Sequence, residues 1–354
     1  MRVIRLIGAA LLATVLGASA AQKPVVKIGV LLPLTGDLAQ LGVPCRNAIL
    51  LAQEQAQNKK YRYELVIEDV QYSASKASLA ANKLMHVDRV DAILNFADLF
   101  GKIINPLVEK RKILHLCFSS DSSVAAGRYN FTMGPQPDDE ARMMAACLKK
   151  RRLNSVVLIS QIDTYTLALK KAQEAVYPKE GIHVVGNLTF GGEERDFRML
   201  VTKAKQLRPD IYLLATFPPC LELLTTRMRE AGLANFSGIE IFENTTDFRL
   251  YEGMWYVCEG NPAPEFSSAY QKRFGEKPIT WAANFYDMFN LLVQAFEKAP
   301  GGGKPSAVLA IEELEQIKKF SGAGGVLRQD ADGVFRVPVV EKIIKNGQPE
   351  QAQP

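Results

Sequence analysis

The apolar residues of this chain come in short, dense blocks, and that spacing restricts the fold more than any other feature. Residues 25–32, VVKIGVLL, form such a block, which stops at Pro33 and gives way to Thr35, Gly36 and Asp37. A strand buried on both faces reads as a nearly continuous apolar run, whereas a strand with one wet face alternates. Further blocks follow at 63–69, 91–96 and 113–117, with stretches of helical periodicity at 38–57, 75–88 and 102–110 between them. Strand and helix in strict alternation predict a parallel sheet covered on both faces. In such sheets ligands lie beyond the carboxyl ends of the strands, where loops such as 33–36 begin. Asp37 followed by Gln40 is a capping-box-like helix start, so Asp37 has a structural use of its own.

The rhythm then restarts. Helices at 139–150, 164–176, 197–206 and 221–231 alternate with strands at 155–159, 183–190, 211–215 and 238–242, which gives a second doubly wound unit. Residues 129–137, YNFTMGPQP, have the Gly and Pro density of a segment crossing between the two. A strand at 253–258 precedes helices at 266–274, 281–298 and 306–319, and these need a sheet to cover. The end of the chain reads as strands turning at Asp332-Gly333. A length of 354 residues agrees with two packed units.

The first twenty residues stand apart. Arg2 and Arg5 precede an apolar stretch over 6–16 and then Ala18-Ser19-Ala20, the small-x-small pattern of a signal peptide cleaved after Ala20. The apolar stretch is shorter than the roughly 20 residues that span a bilayer. Removal of residues 1–20 lowers the formal charge from +5 to about +3, too little and too scattered for nucleic acid. The one basic cluster, Lys149 to Arg152, closes a helix that starts at Asp138-Asp139-Glu140, and both ends complement the helix dipole. Cys45, Cys117, Cys147, Cys220 and Cys258 are odd in number and widely spaced, so buried free thiols are expected, with one bridge such as Cys220 to Cys258 left open. His86, His115 and His183 lack metal-ligand spacing, and the chain carries no GxSxG and no GxGxxG after its first strand. The loop GGGKPS lacks the spacing of a phosphate-binding loop. No cofactor and no metal are expected.

Four segments occur in the order of one family: VKIGVLLPLTGDLAQLG, EDVQYSASKASLAANKLM, SQIDTYTLAL and RQDADGVF. Across residues 25–345 the chain resembles the periplasmic leucine/isoleucine/valine-binding proteins of ABC transporters. The resemblance implies the type I periplasmic binding fold: two doubly wound α/β lobes joined by a three-crossing hinge. Lobe 1 is expected to hold residues 22–133 and 259–328, and lobe 2 residues 134–258 and 329–345, with a tail at 346–354. The crossings fall near 132–135, 257–260 and 327–329.

By position, the resemblance places ligand contacts at Asp98 and Leu99, at Ser119, Ser120 and Asp121, at Tyr165 and, with a two-residue shift, at Glu243. Tyr165 starts a helix after a strand and is the best match, against an ordinary half-buried Tyr. Ser119 and Ser120 are donors for an anionic group, or plain turn chemistry. Asp98 departs from the family, which commonly offers a Ser hydroxyl there to a carboxylate. Its other use is as the N-cap of the following helix. If it faces the cleft, it favours a ligand with donor groups over a free carboxylate. Glu243 is a candidate for a ligand ammonium. Phe217, followed by Pro218-Pro219, is a candidate for the apolar wall, whereas Phe96 and Phe242 read as core. The ring the family often places in the first loop is missing, since Leu41 stands there.

The function implied is extracytoplasmic capture of a small ligand, a branched-chain amino acid or a related amide or aromatic acid. A monomer closes its hinge on the ligand in the periplasm and delivers it to an ABC permease in the inner membrane. A ligand sensor of the same fold, signalling through a partner protein, is the alternative. A hydrolase built on Asp98 with Asp121 or Glu243 is a third class supported only by the presence of acids.

Overall fold

The computed structural model describes residues 23–352 except positions 37, 58, 241, 244, 246, 302 and 304. The segment expected to be a signal peptide lies outside the described residues, as does the proposed cap at Asp37. The first unit runs β1 (Val25–Leu32), α1 (Ala39–Gln55), β2 (Arg62–Asp69), α2 (Ala74–Lys83), β3 (Ala92–Phe96), α3 (Asp98–Arg111), β4 (Leu114–Phe118) and β5 (Asn130–Gly134). The second runs α4 (Pro137–Lys150), β6 (Ser155–Gln161), α5 (Thr164–Val176), β7 (His183–Phe190), α6 (Arg198–Leu207), β8 (Ile211–Ala215), α7 (Cys220–Glu230), β9 (Phe236–Gly238) and β10 (Trp255–Glu259). Then come α8 (Pro264–Phe274), α9 (Thr280–Lys298), α10 (Ala307–Glu315), β11 (Lys319–Gly322), β12 (Gly325–Gln329), β13 (Val334–Arg336), β14 (Val339–Lys345) and β15 (Gln348–Gln351).

Lobe 1 is an eight-stranded sheet in the order β11-β12-β13-β5-β4-β3-β1-β2, whose strands β1 to β5 pair in parallel. Lobe 2 is a parallel sheet β7-β6-β8-β9, which a bridge from Ile239 to Val257 extends to the antiparallel set β10-β14-β15. The chain leaves lobe 1 after β5 and returns after β10, close to the expected crossings. The third crossing differs. β13 pairs in parallel with β5, Val334 beside Thr132, and Phe335 is fully buried in the lobe 1 core, so residues 334–336 belong to lobe 1 and the chain crosses at Val337-Pro338. The turn at Asp330 to Gly333 folds this strand back onto its own sheet before it can leave. Residues 348–351, expected to be tail, pair with β14. β9 ends at Gly238, short of the expected 242.

The returning helix α9 supplies the centre of lobe 1. Phe285, Met288, Phe289, Leu292 and Phe296 have no exposed surface, each burial contributing about 1.5–3 kcal/mol. Gly42 of α1 sets how closely this layer approaches the end of β1: a Cβ there would stand 1.9 Å from the Pro33 carbonyl oxygen. Gly134 plays the same part at the first crossing, where a Cβ would lie 2.7 Å from the Ser119 carbonyl oxygen. All five cysteines are buried free thiols, Cys220 and Cys258 included. Among the described residues no helix is long and apolar enough to cross a membrane.

Backbone cannot yield as a side chain can, so Gly42→Ala is expected to lower unfolding stability by about 1–3 kcal/mol. The check is a drop in urea midpoint at unchanged slope. Gly191→Ala, where an added methyl meets nothing within 4 Å, should stay within about 0.5 kcal/mol of the parent.

Candidate ligand cleft

The loop after β1 is closed on itself. The amide nitrogens of Leu34 and Thr35 donate to Asp69 Oδ1 at 2.9 and 3.4 Å, and the Thr35 hydroxyl donates to Oδ2 at 2.5 Å. These bonds outweigh the cost of burial and hold the Asp69 carboxyl below its ordinary range. The donors of residues 34 and 35 are therefore used inside the protein.

The lobe 1 rim is formed where β3 and β4 end. Ala97 has φ 77 and ψ 145, a conformation costly for any residue but glycine. It, not Asp98, is the N-cap of α3; Asp98 opens the helix, where its charge suits the dipole. The N-cap reading of Asp98 is thus corrected. Its buried Oδ1 accepts from the Ser119 hydroxyl at 2.6 Å and from the Ser120 amide at 3.0 Å. Burial pushes its pKa up, and Asp121 and Asp163 push it further. The Ser119 hydroxyl, committed as donor to Asp98, accepts from the Asp121 amide at 3.0 Å. Asp121 itself is taken up by Lys102 at 2.6 Å and by the Ser123 amide at 2.9 Å. Leu99 is exposed. At the ends of β3 and β4, Phe96 stacks with Phe118 and Phe285, and Trp281 lies tilted beside them, 5.7 Å from Phe96 and 5.6 Å from Phe118. Tyr72, at the end of β2, packs edge-on against Phe96 and Phe100.

On the lobe 2 rim, Asp163 caps α5 by accepting from the Tyr165 amide at 2.9 Å, and Thr166 completes the capping box. The half-buried Tyr165 donates its hydroxyl to Glu140 Oε1 of α4 at 2.9 Å. Half-buried Phe217 donates its amide to Gln161 Oε1 at 3.2 Å, so it stands beside the end of β6. The two rims face each other: Tyr72 and Asp98 lie in the field of Asp163, and Tyr165 in the fields of Glu140, Glu240 and Asp98.

Glu243 is brought to the hinge, where its carboxylate is fully engaged. It accepts from Lys342 Nζ at 2.8 Å, Tyr256 Oη at 2.7 Å and Thr280 Oγ1 at 2.9 Å, and the Cys258 thiol lies 3.1 Å away. Burial opposes its charge, but Lys342 prevails and lowers the pKa. The acid that does meet Tyr165 and Glu140 is Glu240, buried and left-handed at φ 56. Among the described residues, Glu140 Oε2, Glu240 Oε1 and Glu259 Oε1 are buried without a hydrogen-bond partner. Glu259 is otherwise held by Asn284 Nδ2 at 2.5 Å. Burial raises the Glu140 carboxyl to about 8, Glu259 to about 7 and Glu240 well above its usual range. The sequence reading missed Glu140, Glu240, Glu259, Tyr72 and Trp281. A Glu between two Ile in the apolar run GIEIF was the one available signal. Buried His115 bridges Asn95 and Asn130, a structural role, and among the described residues no group of His, Cys, Asp and Glu is arranged for a metal.

A family model described as periplasmic binding protein matches residues 25–341. The chain belongs to the periplasmic binding protein family. A comparison with curated protein sequences finds no match. Among solved structures, the leucine binding protein LivK of Thermotoga maritima shares 23% identity over 93% of this chain and 98% of its own, with TM-score 0.84. The branched-chain amino acid transporter substrate binding protein LivJ of Streptococcus pneumoniae, in complex with isoleucine, shares 19% over 93% and 100%, TM-score 0.81. An ABC transporter solute binding protein of R. palustris, in complex with 4-hydroxybenzoate, shares 16% over 93% and 96%, TM-score 0.82. At these identities the likeness is one of fold, and this periplasmic binding protein has the two parallel-sheet lobes that the sequence predicted.

Its buried acids make two stability predictions. Lys342→Met leaves Glu243 as an unpaired buried charge and should cost about 3–5 kcal/mol, while adding Glu243→Gln should recover most of it; urea unfolding of both variants is the check. Raised carboxyls keep in the folded state protons that the unfolded chain gives up above about pH 4.5, so their contribution is complete below that pH. It is lost as pH rises through the folded values, about 8 for Glu140 and about 7 for Glu259 and Asp287. Stability should therefore fall between about pH 5 and 8.5, and the double change Glu140→Gln, Glu259→Gln should flatten that slope.

Proposed function

We propose that this periplasmic binding protein is an extracytoplasmic solute-binding component of an ABC importer. It captures a small solute, of the size of an amino acid, amide or aromatic acid, between the facing rims. The observation that carries the reading is the convergence of Asp98 and Ser119 from one lobe with Tyr165, Glu140 and Glu240 from the other. Polar groups contributed by both lobes can be satisfied together only when the lobes are closed, so a solute that bonds to both favours closure. Ser120, Leu99 and Phe217 sit at the rims beside them. Glu243 serves the hinge and Asp121 holds the loop after β4. The protein acts as a monomer that binds without catalysis. A signal peptide cut after Ala20 takes it to the periplasm, and the closed form is what an inner-membrane permease receives.

The test is thermal unfolding against a pool of small amino acids, amides and aromatic acids, with X-ray scattering on any hit. A solute that binds the folded protein alone raises its melting temperature, and closure lowers the radius of gyration if the unliganded lobes open in solution. Tyr165→Ala should weaken the hit at least about fivefold, as loss of a hydrogen bond to a charged group predicts. Unfolding and scattering unmoved by the whole pool would overturn the reading.

A further inference from the structure

Glu140 of α4 and Glu240 beyond β9 are buried acids, the charge of Glu140 raises the pKa of Glu240, and among the described residues neither Glu140 Oε2 nor Glu240 Oε1 has a hydrogen-bond partner. Two buried carboxylates so placed cannot both ionise without a positive partner, so the unliganded pair holds at least one proton between them. The surrounding charges give little relief. Glu140 faces Asp139, Tyr165, Glu240 and Glu259; Glu240 faces Glu140, Glu259, Glu243 and Lys342. Lys342 is the single cation in that set, and it is 2.8 Å from Glu243. Across the cleft, Asp98 fills the place where the resemblance expects a Ser hydroxyl, and it faces Asp163. Lys102 is bound to Asp121, and Arg336 to Asp138, Asp139 and Asp330.

A solute carboxylate placed here meets acids on both rims and, among the described residues, no free cation. Solute N–H groups meet acceptors that lack donors. Beneath Asp98 the buried rings of Phe96 and Trp281 pack 5.7 Å apart at the edge of the lobe 1 core. Resting on the solute-binding reading above, we infer that this cleft selects a compact solute carrying an ammonium, amidinium or primary amide head and no carboxylate, with Glu140 and Glu240 as the head's acceptors and Asp98 as the group that rejects carboxylates. The two head types share one recognition chemistry. A primary amide donates N–H to the ionised carboxylate of the pair while its carbonyl accepts from the protonated one. A cation takes the place of the shared proton, which leaves to solvent, so its binding strengthens as pH rises.

Matched probes decide the matter because size and shape stay constant while the head changes. Benzamidinium, benzamide and benzoate form one set; isoamylammonium and leucine, which differ by the carboxylate, form another. The expected result, by calorimetric titration of the mature protein, is at least tenfold tighter binding of benzamidinium or benzamide than of benzoate, and of isoamylammonium than of leucine. Tighter binding of the amide than of the amidinium identifies the neutral head; the reverse, with proton release detected in buffers of different ionisation enthalpy, identifies the cation. Glu240→Gln should then weaken benzamidinium at least tenfold with the unliganded urea midpoint as the folding control, and weaken benzamide by less. Asp98→Asn should narrow the gap between benzamidinium and benzoate at least threefold. Equal or tighter binding of benzoate or leucine to the parent protein overturns the inference and leaves solute capture standing. A panel with no hit also overturns it, and solute capture fails with it only if the wider metabolite pool leaves unfolding unmoved.

Discussion

Lys342 has no exposed surface, and a buried ammonium is tolerable only against a carboxylate with the remaining lone pairs satisfied. Glu243 answers it, and in doing so gathers groups from three other parts of the chain. Lys342 comes from β14, Tyr256 and Cys258 from β10, and Thr280 from the start of α9 in the other lobe. β10 and β14, which flank two of the three crossings, thus meet on one ion pair. Arg336 repeats the device nearby, joining β13 of lobe 1 to Asp138 and Asp139 at the start of lobe 2's α4. These polar pins cross the junction, while each lobe is held by its own apolar core.

Around the pin the acids outnumber the cations. Among the described residues Glu140, Glu240 and Glu259 keep buried oxygens without donors, a condition that costs stability. The backbone carries strain at the same place: Ala97 and Glu240 adopt positive φ on opposite rims. Strained residues and orphaned acceptors persist where the surrounding packing over-determines them, and here they coincide with the ends of parallel strands. Tyr165 is fixed twice within the lobe 2 rim. Its helix start is set by Asp163, and its hydroxyl is set by Glu140.

Much of the architecture was legible as pattern. Dense apolar blocks and intervening amphipathic stretches located most of the strands and helices of the two lobes, and the Asp332-Gly333 turn appeared as expected. The strand after that turn was assigned to the wrong lobe, because a three-residue strand such as Val334–Arg336 carries no local mark of which sheet edge it joins. Ser119, Asp98 and Tyr165 are candidates from sequence because they follow strand ends, a place the sequence displays. Glu140 was read as a charge at a helix terminus, and nothing local distinguishes it from Asp138 and Asp139, which pair with Arg142 and Arg336 instead. Glu243 and Glu240 both follow β9, and only the tertiary structure separates them, engaging Glu243 with Lys342, Tyr256 and Thr280 and burying Glu240 at a left-handed position.

The amino-acid sequence by itself determined the element order, the parallel sheets and the residues at the strand ends, because burial periodicity and turn chemistry act between near neighbours. Tertiary structure alone decided which acid pairs with Lys342, which acids are buried without a donor among the described residues, and which aromatic rings pack together at the ends of β3 and β4. Those outcomes depend on residues such as Glu140, Glu240 and Lys342 that lie far apart in the chain, and on desolvation, which exists only once the lobes enclose them.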